Sequence, residues 1–186
     1  MPSALTHPAV PIALRFIYPE GQVPARFLAT GIVCSVIPDL DVIGFRFGIR
    51  YEDMLGHRGL THSILFAALL SAVTFAVLRR PNALRSSGIA LFIYLFLSAA
   101  SHGFLDSFTN GGLGVAFFAP FSDARYFMPW TPIEVSPIGA ARFFSSRGVQ
   151  IIKSEILWVW VPCLTVAVLS FLSRKMIGGE RTGDNS

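Results

Sequence analysis

The segment SGIALFIYLFLSAASHGFLD, from Ser87 to Asp106, is the most informative part of the chain about its architecture. From Ser87 to Leu105 it is predominantly apolar and close to the roughly 20 residues that an α-helix needs to cross a bilayer. His102 and Asp106, whose side chains commonly bind metal ions, stand at its end. Because they are four residues apart, they lie on one helical face, one turn from each other. The stretch therefore predicts a membrane helix with a histidine and a carboxylate at one end.

The composition of the whole chain is that of an integral membrane protein. Its 186 residues are 53% hydrophobic and 14% charged, and the mean hydropathy is +0.59, whereas soluble domains carry roughly 25% charged residues.

The net charge is +4, but Lys and Arg are scattered rather than aligned, so we expect no nucleic-acid partner. Cys34 and Cys163 lie in apolar segments without CxxC spacing, which predicts no disulfide framework.

Other apolar segments define the rest of the bundle. Thr61 to Leu78 and Ile156 to Leu172 are predicted spans. Ala4 to Ile17 and Val23 to Ile37 are shorter, and the Pro and Gly of residues 18–22 predict a turn between them. Fifteen helical residues reach only about 22 Å, so this hairpin is expected to tilt or enter part of the bilayer. The predicted fold class is all-α, a membrane bundle of about five helices: a short N-terminal hairpin plus three spans.

A long connection, Ser107 to Ser154, precedes the last span. It is rich in Gly, Pro, Ser and aromatic residues. Connections beyond about 12–15 residues are usually lids, binding loops or disordered segments, and the aromatic content argues against disorder. We therefore expect a loop that covers one face of the bundle. Residues 1–177 are expected to form a single domain, and residues 178–186 a flexible polar tail.

Alternating helix directions place the candidate ligands on one membrane face. That face contains the start of the first, third and fifth helices. It also contains the end of the second and fourth helices. The candidates at these ends are His7, Asp39, Asp41, His57, His62, His102, Asp106 and Glu155. Basic residues dominate the opposite face: Arg15, Arg26, Arg79, Arg80, Arg85, Arg174, Lys175 and Arg181, against Glu20, Glu180 and Asp184. Because cytoplasmic loops collect Lys and Arg, we expect the candidate ligands to face outward, into the periplasm of a two-membrane bacterium.

The carboxylate pair follows a helix-breaking residue. Pro38 is expected to end the second helix because it cannot donate the next helical hydrogen bond. Asp39 and Asp41 would then lie on irregular backbone and turn inward, where a carboxylate pair suits cations. The alternative is a helix end with exposed acids, which the negative end of the helix dipole disfavours.

The two nearby histidines are five residues apart and so do not share a helical face. Gly59 and the potential N-cap Thr61 predict a turn that leads into the third helix, from which His57 and His62 can converge. The alternative is an interfacial basic turn with structural histidines.

Four further residues each have more than one interpretation. Arg58 could bind an anionic phosphate or form an ion pair with a nearby acid. Arg125 could bind an anionic phosphate or anchor the chain at the membrane interface. Glu155 could support the ligands, act as the base that activates water, or be a first-turn acid that the helix dipole favours. His7 could be a ligand or an ordinary interfacial side chain.

Together these elements resemble the YdjM-like family of bacterial inner-membrane, LexA-regulated, metal-dependent hydrolases. The resemblance covers most of the chain and rests on four elements: Pro38-Asp39-Leu40-Asp41, His57-Arg58-Gly59-Leu60-Thr61-His62-Ser63, Ser101-His102-Gly103-Phe104-Leu105-Asp106, and Pro120-Phe121-Ser122 followed by Arg125-Tyr126-Phe127. It implies a helical membrane protein whose metal site is made by these His and Asp residues, and His7 matches an early Thr-His element.

The family is distantly similar to zinc-dependent phospholipase C and P1 nuclease, all-helical enzymes that hydrolyse phosphate esters with clustered His and Asp ligands. Those enzymes use an N-terminal Trp and a second HxxxE element. This chain begins with Met1 and has no histidine after His102. The resemblance therefore implies one or two metal ions here rather than three.

The resulting hypothesis is a membrane-bound hydrolase in which one or two divalent ions, zinc first among them, activate water towards a phosphoester of a lipid or envelope metabolite. The expected metal ligands are His7, Asp39, Asp41, His57, His62, His102 and Asp106, and the expected catalytic residues are Arg58, Arg125 and Glu155. The alternative is a metal-binding membrane protein or transporter without chemistry. A transporter expects its ionisable residues at the bilayer midplane beside broken helices, whereas these cluster at one edge.

Overall fold

The computed structural model describes residues 1–79, 87–137 and 146–183, with backbone alone from residue 177 onward. Its α-helices are α1 (Ala9–Ile17), α2 (Ala25–Cys34), α3 (Ile64–Leu78), α4 (Gly88–Ser107), α5 (Ser146–Glu155) and α6 (Val161–Gly183). A long 3-10 helix, Ile37–Phe47, follows α2, a short one, Leu60–His62, precedes α3, and a π-helical turn, Ile156–Trp160, joins α5 to α6. Because α5, this turn and α6 are continuous, the predicted all-α bundle of about five helices is confirmed.

Within the described part of the chain, three helices are long and apolar enough to cross a membrane, and the second and third of them coincide with predicted spans. They are Ala25–Phe47 with 23 residues, Gly88–Ser107 with 20 and Ser146–Met176 with 31. The predicted span from Thr61 is shorter, since α3 has 15 residues and begins at Ile64. The 3-10 helix after α2 instead lengthens the second helix into a span.

Two expectations about helix ends are wrong. Pro38 does not leave irregular backbone behind it, because it lies in the first turn of the 3-10 helix, where a missing N–H sacrifices no helical hydrogen bond. Asp39 and Asp41 therefore stand on a regular helix. Thr61 is not the N-cap of α3. That role belongs to Ser63, whose side-chain oxygen accepts a hydrogen bond from the Phe66 amide at 3.0 Å.

The helix α4 lies at the centre of the packing. Its Leu91, Tyr94 and Leu95 are fully buried against Val23 and Phe27, just before and within α2. The Tyr94 hydroxyl also donates a 3.0 Å hydrogen bond to the carbonyl of residue 11 in α1. Nearer its C-terminal end, Ala99 packs with residues 34 and 67 of α2 and α3. His102 and Asp106 thus follow on the most enclosed helix of the bundle.

The loop after α4 covers the end of the bundle where α3 begins. Within it, Val115 pairs with Tyr126 in an antiparallel bridge. The amide of Ala116 donates to the Arg58 carbonyl at 2.9 Å, and the Ile64 amide donates to the carbonyl of residue 117 at 3.0 Å. The loop is shorter than predicted, since α5 begins at Ser146 rather than after residue 154.

Some expectations fall outside the described residues. Arg80, Arg85 and Asp184 of the predicted basic face have no described structure, and the side chains of Glu180 and Arg181 are likewise not described. The backbone of α6 is helical through Gly183. The division into a domain of residues 1–177 and a flexible tail stays a prediction.

Candidate metal centre

Four side chains from three elements meet beneath the loop. The C-terminal end of α4 presents His102 and Asp106, the 3-10 helix Ile37–Phe47 presents Asp39, and the turn before α3 presents His62. One ligand atom from each lies within 4.8 Å of the others. We call these four residues the primary cluster.

The distances within the primary cluster are short. The two Nε2 atoms of His62 and His102 are 3.1 Å apart. His102 Nε2 lies 3.2 Å from Asp39 Oδ1, and His62 Nε2 lies 3.3 Å from Asp106 Oδ2. All four residues are buried, and Asp39 is the most exposed, at 7%. Imidazole nitrogens and carboxylate oxygens thus converge on one small volume.

Hydrogen bonds behind the rings fix which nitrogens face this volume. His102 Nδ1 lies 2.7 Å from the Ser35 carbonyl oxygen, which can only accept, so Nδ1 carries the proton. Thr61 donates its only hydroxyl proton to Asp41 Oδ2 at 2.6 Å, so its oxygen must accept from His62 Nδ1 at 3.0 Å. In the neutral rings both Nε2 atoms therefore present lone pairs to the cluster.

The carboxylates of the primary cluster lack donors. Among the described residues, neither oxygen of Asp39 or Asp106 accepts a hydrogen bond, although all four atoms are buried. Buried carboxylates without donors are costly unless a cation balances them, and the Arg58 guanidinium, 3.2 Å from Asp106 Oδ2, balances only one of the two charges. Two lone pairs and two carboxylates that face one another therefore fit a bound cation.

The electrostatics of His62 agree with this fit. Burial alone lowers the pKa of this imidazole, but the carboxylates of Asp106, Asp39 and Asp41 outweigh burial and raise the pKa to about 10. The same carboxylates that attract a proton to His62 attract a divalent cation, which neutral imidazole and carboxylate groups bind.

A second group, Asp41 with His57 and His62, lies beside the first and also has the spacing of a metal site. Here, however, the carboxylate has donors. Asp41 accepts from His57 Nδ1 at 2.7 Å, from Thr61 Oγ1 at 2.6 Å and from the Arg58 amide at 3.3 Å. Burial lowers the pKa of His57, which favours its neutral form. Such a group is satisfied without an ion and resembles the outer carboxylates that orient metal-bound histidines.

His7 lies against the primary cluster without belonging to it. Its ring stacks on His102 with centroids 3.8 Å apart and planes at 17°. Its Nε2 is 3.8 Å from Asp106 Oδ1, and within the described chain neither ring nitrogen has a hydrogen-bond partner. Burial lowers the pKa of His7 to about 3. A neutral, buried and unpartnered imidazole is thus available next to Asp106.

Arg58 is fully buried and paired inside the protein. Its Nε lies 3.2 Å from Asp106 Oδ2. Its Nη1 donates to the Gly111 carbonyl at 2.9 Å and its Nη2 to Thr109 Oγ1 at 2.8 Å. Its backbone has φ +63°, in the left-handed region that non-glycine residues rarely adopt. Of the two interpretations of Arg58, these contacts favour the ion pair.

Arg125 contacts backbone carbonyls rather than the cluster. Its Nη1 donates to the His57 carbonyl at 3.0 Å, and its Nη2 donates to the carbonyls of Tyr51 and Asp53 at 3.0 and 3.2 Å. It thereby fastens the covering loop to the segment that carries His57.

Glu155 is buried and lies apart from both groups of candidate ligands. Its carboxylate accepts hydrogen bonds from the Ser3 amide, from Ser3 Oγ at 2.7 Å and from Thr6 Oγ1 at 2.7 Å. These contacts hold the segment that precedes α1. Glu155 therefore positions the residue that follows Thr6, which is His7.

Comparison with known proteins identifies the family. The chain matches the YdjM inner membrane protein family over residues 1–177. The chain belongs to this family. Inner membrane protein YbcI of Escherichia coli (strain K12) is 40% identical over 162 residues, covering 87% of this chain and 92% of the relative. Uncharacterized protein YvsG of Bacillus subtilis (strain 168) is 32% identical over 107 residues, 54% of this chain and 62% of that protein. No solved structure matches significantly.

One contributor to this YdjM-family site was missed by sequence reasoning. Gly103 lies between His102 and Asp106, the two candidate ligands on α4, and a Cβ atom there would stand 2.6 Å from the His62 carbonyl oxygen. Only glycine lets α4 approach the turn that carries His62 so closely. The available signal was the glycine directly after His102 inside an otherwise good helix.

Replacing Gly103 with Ala is therefore expected to displace His62 and weaken metal binding strongly, with a loss of thermal stability. The measurements are metal content and the unfolding temperature of the detergent-purified protein. Gly88→Ala in the same helix is the matched control, because its Cβ would meet only the ring end of Phe75 at 3.3 Å. Equal metal content in the two variants would contradict this role of Gly103.

Proposed function

We propose that this inner-membrane protein is a metal-dependent hydrolase that cleaves a phosphoester of a lipid or envelope metabolite. The observation that carries the proposal is the primary cluster, where two imidazole lone pairs and two donorless carboxylates are buried face to face. Membrane-embedded ionisable groups are costly and usually functional. Family membership and the three long apolar helices support the membrane location.

The donor set suits zinc, with manganese and iron as chemically close alternatives. We propose one ion held by Asp39, His62, His102 and Asp106, with His7 adjacent. The group around Asp41 could hold a second ion, but its satisfied hydrogen bonds favour a supporting role. When bound, a divalent ion supplies a Lewis acid that polarises a phosphoryl oxygen and lowers the pKa of a water molecule.

The chain's own residues would hold this site in shape. The Ser35 carbonyl fixes the ring of His102, and Thr61, which donates to Asp41, fixes the ring of His62, so that both Nε2 atoms face inward. Arg58 holds Asp106, and Asp39, the most exposed ligand, marks the side from which water and substrate would enter. In this proposal Arg125 and Glu155 position the loop and the N-terminal segment rather than act on the substrate.

A zinc-loaded, purified protein is expected to hydrolyse bis(p-nitrophenyl) phosphate, a soluble phosphodiester, and to lose this activity to a chelator. We also propose that the cluster faces the periplasm. Since this charged substrate does not cross bilayers, right-side-out vesicles should cleave it and inside-out vesicles should not. The reverse sidedness would overturn the orientation alone.

One observation favours a second candidate, a membrane protein that binds a metal without turnover. Every residue of the primary cluster is at least nine-tenths buried, and structural metal sites are closed whereas catalytic sites keep an open position. A stoichiometric metal that resists chelators, without hydrolysis of the soluble phosphodiester or of labelled phospholipids, would favour this second candidate.

A further inference from the structure

An apolar groove runs along α1 on the side that faces α6. Its walls include Ile12 and Phe16 of α1 with Cys163, Leu164, Ala167 and Phe171 of α6. The volume of this partly open groove is about 340 Å³, within the range of ligand sites, which are roughly 300–1,000 Å³. Ala13 and Ala167 are small, and their size leaves this space between the two helices.

Trp160 borders the groove near α5, and a polar cavity adjoins the groove at its other end. At the end near α5, Trp160 lines the groove and its indole donates to Thr6 Oγ1 at 3.2 Å. At the opposite end, Phe16 and Phe171 line both the groove and a second cavity of about 460 Å³. The two cavities therefore adjoin at these two side chains, one of them apolar and the other polar.

The polar cavity is basic. Arg15, Arg174 and Lys175 line it, together with one acid, Glu20. Arg174 is held across the start of the α1–α2 turn, because its Nη1 donates to the Tyr18 carbonyl at 2.7 Å. Within the described part of the chain, none of these three cations forms an ion pair. The cavity thus keeps a positive charge that a ligand anion could balance.

We propose that these two adjoining cavities together bind an anionic membrane phospholipid, with one acyl chain in the groove and the phosphate headgroup in the basic cavity. The apolar and cationic parts occur in the order that such an amphiphile requires. Basic cavities between membrane helices on the cytoplasmic side are established recognition sites for anionic headgroups, and the positive-inside bias places this end of α1 at the cytoplasm.

This lipid is distinct from a substrate of the primary cluster. His7 precedes α1 and Arg15 lies in its last turn, so a rise of about 1.5 Å per residue over positions 7 to 15 separates the headgroup from the cluster by about 12 Å along the helix. A phosphate in the basic cavity would therefore lie at the opposite end of the helix from the candidate metal. The role of the lipid would be to fasten α6 against α1.

The test is native mass spectrometry of the full-length, delipidated protein titrated with phosphatidylglycerol or with zwitterionic phosphatidylcholine. We expect one phosphatidylglycerol to be retained about tenfold more tightly than phosphatidylcholine, and the double variant Arg15→Gln with Lys175→Gln to lose this preference. Arg174 is kept because it holds the turn. Arg79→Gln, an exposed arginine outside the cavity, is the matched control.

A second variant tests the groove. Ala167→Phe should fill the space for the acyl chain and weaken retention of both lipids, whereas Ala72→Phe, at an exposed position of α3, should not. Equal affinity for the two lipids in the wild type, an unchanged preference in the double variant, or a protein dimer without retained lipid would each overturn the proposal. Elution profiles during size-exclusion chromatography verify that every variant is folded.

Discussion

Replacing His102 with Ala is expected to remove the metal and the hydrolytic activity together. This ring supplies one of the two lone pairs of the primary cluster and lies within 3.2 Å of both Asp39 and His62. Truncation leaves two carboxylates with one imidazole and opens the centre of the cluster. Inductively coupled plasma mass spectrometry of the purified variant measures the loss, and hydrolysis of the soluble phosphodiester is measured on the same preparation.

Two comparisons make this result specific. Phe104→Ala alters the same helix end at a half-exposed side chain, and it should keep both metal and activity. Asp41→Asn removes an orienting carboxylate rather than a ligand, and outer partners of this kind contribute about 10- to 100-fold in metal affinity. We therefore expect a weakened site in Asp41→Asn and no site in His102→Ala. Wild-type metal content and activity in His102→Ala would refute the assignment.

The expected loss of metal is smaller in Asp41→Asn than in His102→Ala, and this difference distinguishes the two groups of candidate ligands. If the ion instead belonged to the group of Asp41, His57 and His62, then Asp41→Asn would lose the metal and His102→Ala would retain it. His62 is common to both groups, so its substitution cannot separate them. The contrast between the two variants can.

The fold could be predicted from the sequence where a long apolar run determines the position of a helix. α4 extends from Gly88 to Ser107, within two residues of the predicted span, because a long apolar run has few alternatives in a bilayer. Local geometry was less predictable. Pro38 can end a helix or occupy the first turn of a new one, and the residue types on either side are compatible with both.

In the candidate site, too, some features could be predicted from the sequence and others could not. Alternating helix directions bring His102 and Asp106 to the same face as Asp39 and His62, and the structure places all four within reach of one ion. The roles of the three predicted catalytic residues were open, because their partners are distant in sequence. Arg125, for example, bonds to a carbonyl 74 residues away. Periodicity and spacing carry no information about such contacts.

The contacts of Arg58 favour one of the two interpretations that the sequence leaves open. The guanidinium occupies the interior between Asp106 and the covering loop, with hydrogen bonds to Thr109 and to the carbonyl of Gly111. An arginine that received a substrate phosphate would need free donors facing an opening. Here the side chain is fully buried, which favours a role in supporting the candidate ligand Asp106.

Replacing Arg58 with Met is accordingly expected to destabilise the protein by about 3–5 kcal/mol, the usual effect of removing one partner from a buried ion pair. Asp106 would be left as a buried carboxylate without its fixed cation. Arg58→Lys keeps the charge but cannot reproduce the forked donor geometry, so an intermediate loss is expected. Thermal unfolding of the metal-free protein in detergent measures both effects.

The control for this prediction is Arg50→Gln. Arg50 also pairs with carboxylates, Glu52 and Asp53, but at the surface, where ion pairs contribute little, so its unfolding temperature should match the wild type. The role of Arg58 is tested by comparing the stability, the metal content and the hydrolytic activity of Arg58→Met. If Arg58→Met folded and bound metal like the wild type while losing only hydrolysis, Arg58 would act on the substrate. A parallel loss of stability and metal would instead place its contribution in holding Asp106 against the ion.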